Sequence, residues 1–315
     1  MNNPYSLRLG TRGSPLAWQQ AHWVKDRLEQ HHPELKVDLV TIKTKGDKIL
    51  DVPLAQVGGK GLFVKEIEEA LLTKKVDLAV HSLKDMPGDL PEGLKIGAVP
   101  VREDPRDVFL SPLKITLAQV PSQAKIGTGS LRRKAQLLGY RPDLEIIPLR
   151  GNLDTRIRKM ETQGLAGIVL AAAGLHRMGW QHLISQYLEP EICLPAVGQG
   201  ALAIEIRADD FRLENWIAFL HHQESALCTQ AERAFLHRLE GGCQVPLAGQ
   251  ARVQGERLLL TGLIADLEGK TMFKDRREGP IHDPEGLGRS LADHLLELGG
   301  REVLNQVYRS GRNEG

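Results

Sequence analysis

Strand-like and helix-like segments alternate in this chain through two successive rounds, and that rhythm limits the fold more than any other feature. Ser6 to Gly10 reads as a strand, and Ser14-Pro15 then supplies an N-cap with proline at the first helical position. The helix runs toward His31, with Ala17, Ala21, Val24 and Leu28 spaced for one buried face. Val37 to Ile42 alternates as a strand, and Lys43 to Gly61 is charged, glycine-rich and irregular. A helix over Leu62 to Thr73 and a strongly apolar strand at Val76 to Val80 follow. Strands separated by helices of this length predict parallel sheets with crossover helices.

The second round repeats the scheme. Lys125 to Gly127 is a short strand, Ser130 caps a helix through Leu138, and Leu144 to Pro148 is a strand. Asn152 caps the next helix, and Gly167 to Ala171 is another buried strand. Leu9-Gly10-Thr11-Arg12-Gly13-Ser14-Pro15 and Ile126-Gly127-Thr128-Gly129-Ser130-Leu131 both run strand, Gly-Thr, Gly-Ser, helix. This weak internal echo implies two similar α/β domains, each aiming a helix N-terminus at a shared cleft. Such a terminus binds anions through its unpaired N–H groups and dipole. The last third changes character. Ser225 to Leu239 is an amphipathic helix ending at Glu240-Gly241-Gly242-Cys243. Gly249 to Lys274 reads as an antiparallel meander with turns at Gly255 and Gly269, and a helix from Asp283 to Tyr308 is interrupted at Gly299-Gly300. Strands grouped before a helix predict a small α+β domain, with a frayed tail after Arg309.

Composition removes several classes of function. The 315 residues suffice for two or three domains, and 41 Lys+Arg against 40 Asp+Glu argue against a general nucleic-acid or membrane-surface binder. Aromatic residues, at 4%, poorly supply a base-stacking surface. No N-terminal apolar run resembles a signal peptide, and no stretch is long and apolar enough to span a bilayer. Cys193, Cys228 and Cys243 stand far apart, and the histidines show no ligand spacing, so neither a disulfide framework nor a zinc site is expected. A metal-free cytoplasmic protein is the expectation.

The segment His81-Ser82-Leu83-Lys84-Asp85-Met86-Pro87 follows a buried strand directly. Ligands of open α/β sheets sit beyond the carboxyl ends of strands, so Asp85 and Lys84 lie where chemistry is expected. The bland alternative is a solvated acid in a turn before proline. Arg12, Arg102, Arg132, Arg133, Arg150, Arg156 and Arg177 recur near the ends or starts of other elements. A run such as Arg132-Arg133-Lys134 ordinarily marks a solvated helix face. Yet guanidinium forks match carboxylates, each charge-assisted hydrogen bond contributing roughly 1.5–3 kcal/mol, and the implied ligand is a polyanion. Val57-Gly58-Gly59-Lys60-Gly61 resembles a phosphate loop, but no Ser or Thr follows the lysine. Most lone cysteines are buried and inert; the glycines before Cys243 leave room for a bulky adduct on its sulfur.

Leu9 to Ala17, Val57 to Phe63, His81 to Pro87, Gly127 to Arg133, Arg150 to Asn152, Pro195 to Gly200 and Leu239 to Cys243 resemble, in order, the signatures of the hydroxymethylbilane synthase (porphobilinogen deaminase) family. The resemblance covers essentially the whole chain. It implies an α/β fold of two similar domains of the type II periplasmic-binding-protein kind, residues 1–100 with 200–218 and residues 101–199, plus a small α+β domain over 219–315. Ala201 to Ile206 returns to complete the first sheet. Cys243 resembles the position where a dipyrromethane primer is held by a thioether. Asp85 would stabilise positive charge during ammonia loss and attack, and transfer protons. Lys84, Asp85, Ser14, Thr128, Ser130, Arg132, Arg133, Asn152, Arg156 and Gln199 would contact the primer. Arg12, Ser14, Lys60, Arg102, Arg150, Arg156 and Arg177 would hold the carboxylates of porphobilinogen. Gln56 stands where related sequences often have lysine, and Asp47 also matches a family position. Further expectations are a monomer that hands its product to uroporphyrinogen III synthase, and a lid over Lys43 to Lys60. Two rival readings are a non-catalytic anion sensor with the same clamp and a phosphate transferase using Gly59-Lys60.

Overall fold

The computed structural model describes residues 5–48, 61, 64–241 and 245–312. Along the chain run β1 (Tyr5–Thr11), α1 (Pro15–His31), β2 (Leu35–Thr41), α2 (Lys45–Lys48), α3 (Lys65–Leu72), β3 (Leu78–Ser82) and β4 (Leu94–Ala98). There follow β5 (Asp107–Leu110), β6 (Lys125–Gly127), α4 (Leu131–Tyr140), β7 (Glu145–Ile147), α5 (Leu153–Thr162), β8 (Gly167–Ala171), α6 (Ala172–Arg177) and β9 (Gln186–Leu188). Next come β10 (Leu202–Arg207), α7 (Phe211–Ile217) and α8 (Gln223–Arg238). The chain continues with β11 (Leu247–Gln254), β12 (Arg257–Ala265), β13 (Met272–Pro280), α9 (Pro284–Leu295) and α10 (Arg301–Arg312). The described residues of Met1–Leu50, Gly59–Glu103 and Ala201–Ala226 form one compact unit; those of Asp104–Gly200 and Leu227–Gly315 form another.

The first unit is built on a five-stranded sheet of order β2-β1-β3-β10-β4, in which β1 is parallel to β2 and β3 while β10 is antiparallel to β3 and β4. The chain leaves this unit after Glu103 and returns at Ala201 to insert β10, as the resemblance implies for Ala201 to Ile206. The run Leu-Ala-Val-His of β3 is buried throughout, as a strand covered on both faces must be. Leu9, Val37, Leu78 and Ile204 form one core with Ala21, Val24 and Leu28 of α1. Ile67 and Leu71 of α3 pack with Val76 and Ala79 in another.

In the second unit, β7-β6-β8-β5-β9 repeats that plan strand for strand, with β6 parallel to β7 and β8 and β5 antiparallel to β8 and β9. Positions β1 and β6 are equivalent, so the Gly-Thr and Gly-Ser echo marks the same junction in both sheets. The same unit also carries the antiparallel sheet β11-β12-β13, packed on α8, α9 and α10 around Phe235, Leu260, Ile264 and Leu291. Gly262 lets that core close, because a Cβ there would stand 2.7 Å from the Phe235 ring. The expected architecture of two α/β sheets of one plan plus an α+β part is met.

Several local expectations need correction. Lys45–Lys48 is helical within a stretch read as irregular, and α6 was not foreseen, so Arg177 ends a helix instead of following a strand. Arg150 lies three residues beyond β7. The meander extends to Pro280, past Lys274, and α10 runs past Arg309 to Arg312. Ala17 is only half-buried, and Gln20 takes its place on the buried face of α1. Gly255, Gly269 and Gly299 all have positive φ, as their turns and the helix break require. Among the described residues no helix is long and apolar enough to cross a membrane.

Candidate active site

β3 delivers the motif singled out in the sequence. Beyond Ser82 the backbone tightens into one 3₁₀ turn, Leu83–Asp85, closed by the Met86 N–H on the Leu83 carbonyl at 3.1 Å. The Leu83 N–H donates to the Ala201 carbonyl at 3.0 Å, and buried Leu83 anchors the turn. Asp85 thereby faces a pocket whose other polar walls are Arg12, Ser14, Gln20, His81 and Ser82. Ser14 caps α1 by accepting the Ala17 N–H at 3.3 Å, which leaves its O–H to donate. The Gln20 amide donates to the Ser82 hydroxyl at 3.1 Å.

Of the first-unit residues expected at the site, Arg12, Ser14 and Asp85 come together. Half-buried Lys84 and Arg102 do not line this pocket; the Arg102 N–H donates to the Ser225 hydroxyl at 2.9 Å. Gln20, His81 and Ser82 were missed. Gln20 had left a signal: it is a polar side chain at helical spacing inside the apolar stripe of α1.

His81 Nε2 donates to Glu205 at 2.9 Å, with His81 3% and Glu205 0% exposed. Behind them, burial raises the Glu68 carboxyl above its ordinary value, and repulsion from Glu205 adds to the shift against the attraction of His81 and Lys65.

In the second unit, the Arg132-Arg133 pair overturns the reading of a solvated face, since both side chains are buried. Arg132 Nη1 donates to Asp107 at 2.7 Å and also to the Leu194 carbonyl. Arg133 reaches the other Asp107 oxygen through Nε at 3.0 Å and Nη2 at 2.8 Å. Gln199 donates to the same carboxylate at 2.9 Å and to the Pro105 carbonyl at 2.7 Å. Burial by itself would raise Asp107, but the two guanidinium charges outweigh it and hold the carboxyl well below the usual range. The Cys193 thiol, on the same carboxylate, is pushed up to about 12, chiefly by burial. Lys134 points away, ion-paired with Glu268 at 2.7 Å.

Two guanidinium groups therefore share one carboxylate and leave a positive excess at the N-terminus of α4. There Ser130 caps the helix through the Arg133 N–H at 3.4 Å, and Thr128 Oγ1 accepts the Ser130 N–H at 3.3 Å. Gly129 permits this packing, because a Cβ would stand 2.5 Å from the Leu149 carbonyl. Arg150 Nη1 is buried without a partner among the described residues. An orphaned donor costs about 1–3 kcal/mol unless a ligand supplies an acceptor.

Arg156 Nε donates to the Gly151 carbonyl and Arg177 Nη2 to the Gly200 carbonyl, each at 2.7 Å. Asn152 occupies the N-cap position of α5, but its exposed side chain makes no capping bond. Lys60, Gln56 and Cys243 lie outside the described residues, as does most of the expected lid and the Gly59-Lys60 loop; nothing is described of the Asp47 side chain. Among the described residues no cluster of His, Cys, Asp or Glu is arranged to hold a metal ion.

Residues 7–215 match the family model "Porphobilinogen deaminase, dipyromethane cofactor binding domain", and residues 226–297 match "Porphobilinogen deaminase, C-terminal domain". The porphobilinogen deaminase of Geobacter sulfurreducens is 54% identical over 96% of this chain and 95% of its own length. That of Moorella thermoacetica is 53% identical over 98% of this chain and 99% of its own. A TRAP periplasmic solute-binding protein of Desulfovibrio salexigens superposes over 70% of this chain and 74% of its own, with a TM-score of 0.42 at 11% identity.

Proposed function

Because the chain belongs to the porphobilinogen deaminase family over nearly its whole length, we propose that Asp85 is the group through which it makes hydroxymethylbilane. The reaction joins four porphobilinogen molecules head to tail, with water entering and four ammonia molecules leaving, on a covalent dipyrromethane primer. The observation that carries the role of Asp85 is its place in one pocket with Arg12 and Ser14.

The chemistry follows from that place. Ammonia leaves porphobilinogen as the pyrrole ring pushes electrons outward, so positive charge develops on the ring. A carboxylate preorganised beside the pyrrole N–H lowers that barrier, and charge stabilisation in a water-poor site is usually the largest catalytic contribution. Asp85 also accepts the proton released when the new carbon–carbon bond forms.

The donor set suits the primer, which bears an acetate and a propionate on each ring. When bound, the primer supplies the nucleophilic carbon. Around α4, Ser130, Arg132 and Arg133 offer a hydroxyl and excess positive charge, and for the substrate's carboxylates buried Arg150 Nη1 has no acceptor among the described residues. In this reading Cys243 carries the primer, and Lys84, Thr128, Asn152, Arg156 and Gln199 contribute further contacts. Gln199 does so from a side chain also engaged with Asp107. Arg12, Lys60, Arg102, Arg150, Arg156 and Arg177 hold substrate carboxylates. The division into domains at 1–100 with 200–218, 101–199 and 219–315, a cytoplasmic monomer and transfer of product to uroporphyrinogen III synthase belong to the same proposal.

Asp85→Asn tests the central role. Intact mass is expected to show the variant still heavier than its sequence by a dipyrromethane, while ammonia release from porphobilinogen falls by at least about a hundredfold. Near-normal turnover in the loaded variant would remove Asp85 from the mechanism.

A further inference from the structure

The sheet β11-β12-β13 has different neighbours on its two faces. Leu258, Leu260 and Ile264 of β12 pack with Phe235, Leu291 and Val303, from α8, α9 and α10. Alternation turns Leu263 and Ala265 to the opposite face, where they form a separate buried cluster with Ala248 of β11, Leu194 and Ala135 of α4. Helix α4 belongs to the second α/β sheet, and its first turn carries Arg132 and Arg133.

The contact reaches the backbone. Asp266 ties the β12–β13 turn by accepting the N–H groups of Glu268, Lys270 and Thr271 at 2.9, 3.1 and 2.7 Å. Gly269 of that turn has a φ of +68°, and a Cβ there would overlap the Ala135 carbonyl oxygen and stand 2.9 Å from the Gly139 nitrogen. The Gln136 amide donates to the Leu194 carbonyl at 3.1 Å and accepts the Leu194 N–H at 2.7 Å. The next carbonyl, of Pro195, accepts the Gly249 N–H of β11 at 3.0 Å. Two routes, one through the turn and one through Leu194-Pro195, therefore join α4 to the antiparallel sheet. Parting them would expose Leu194 and Leu263 and unpair backbone groups, and packed joints of this kind do not deform continuously.

We propose that the second α/β sheet and the α+β part act as one rigid body through all four additions, with the β12–β13 turn as the positioning element that indexes α4. This rests on the reading that Cys243 carries the primer and that Ser130, Arg132 and Arg133 contact it. In the sequence Cys243 precedes β11 by four residues, a leash of about 14 Å at full extension. Tether and helix then keep one register while rings are added, and the room for a longer chain is made elsewhere than at this joint.

Cross-linking tests the rigidity directly. Lys134 and Glu268 form the exposed rim of the joint, at 2.7 Å. Holoenzyme carrying Lys134→Cys with Glu268→Cys is to be joined by bis-maleimidoethane; Cys193 and Cys228 are buried, and single-cysteine variants treated alike are the controls. Ammonia release from porphobilinogen is expected to stay within about twofold of the unlinked double variant, with hydroxymethylbilane still released. A linked enzyme that stalls with added pyrrole units on its intact mass overturns the proposal.

Indexing is tested by a matched pair of hairpin glycines. Gly255 has a φ of +60°, close to that of Gly269, but a Cβ there would meet nothing within 4 Å among the described residues. Gly255→Ala and Gly269→Ala thus share the same backbone strain, and only the second pushes on α4. Both are expected to melt lower, while only Gly269→Ala, its primer mass in place, loses about tenfold in kcat with KM within about threefold. Equal kcat in the two variants overturns the indexing role. The cross-link needs neither alanine variant, so it decides the matter even where one fails to fold. Wild-type holoenzyme without a dipyrromethane on Cys243 would count against the reading of the tether instead.

Discussion

A single carboxylate shows how much a buried charge can organise. Asp107 opens β5, is fully buried, and takes hydrogen bonds from Arg132, Arg133, Gln199 and Cys193. Removing it leaves two guanidinium groups in the interior with no counter-charge, so Asp107→Asn is expected to destabilise the protein by about 3–5 kcal/mol in urea unfolding at neutral pH. The pH dependence has a definite sign. The folded state holds this carboxyl below its unfolded value, so the unfolded chain binds the extra proton as pH falls. The stabilisation is complete above the ordinary carboxylate range, near pH 4, and declines as pH drops from there toward the depressed folded value. Stability curves measured between pH 5 and pH 2 are expected to be shallower for Asp107→Asn than for wild type; parallel curves would deny the carboxylate this part. None of this was legible in the residues alone, because Arg132 and Arg133 are local in sequence while Asp107 lies some 25 positions away. A helix surface with three consecutive cations looks solvated until the partner is seen.

At the scale of elements, boundaries were readable wherever local chemistry sets them. Ser14-Pro15 and Ser130 start α1 and α4 because their hydroxyls accept backbone N–H groups three residues on. Asn152 has the same credentials and occupies the N-cap, yet its side chain makes no such bond. Ser130→Ala is therefore expected to cost about 1 kcal/mol, and Asn152→Ala a few tenths at most, in paired urea titrations. Equal losses would show that capping does not distinguish them. Elements without a cap, a long apolar stripe or a turn signal went unread. β4, β5 and β9 are three to five residues long and exist because a neighbouring strand offers hydrogen bonds. Helix α6 is six residues that begin directly where β8 ends.

For the molecule as a whole, the cysteines offer a simple count. Cys193 and Cys228 are buried, and Cys193 resists ionisation, so neither is expected to react in the native protein. With the primer on Cys243 through a thioether, which survives denaturation, unfolded holoprotein is expected to titrate two thiols of the three cysteines in the sequence. Protein made without porphobilinogen is expected to titrate three and to lack the added mass. Three thiols in active holoprotein would place the attachment elsewhere.

Local pattern determined much of this protein before any coordinates: the alternation that makes two α/β sheets, the antiparallel meander after Gly249, the turn carrying Asp85 and the family its motifs belong to. Each is set within a few consecutive residues, by periodicity, capping or φ, and so can be read along the chain. Only the tertiary structure decided that β10 lies antiparallel between β3 and β4, that Glu205 stands behind His81, and that Asp107 gathers Arg132, Arg133 and Gln199. Those partners are separated by long stretches of sequence, and burial couples them: away from water, a charge or lone pair must find its complement wherever the fold brings one.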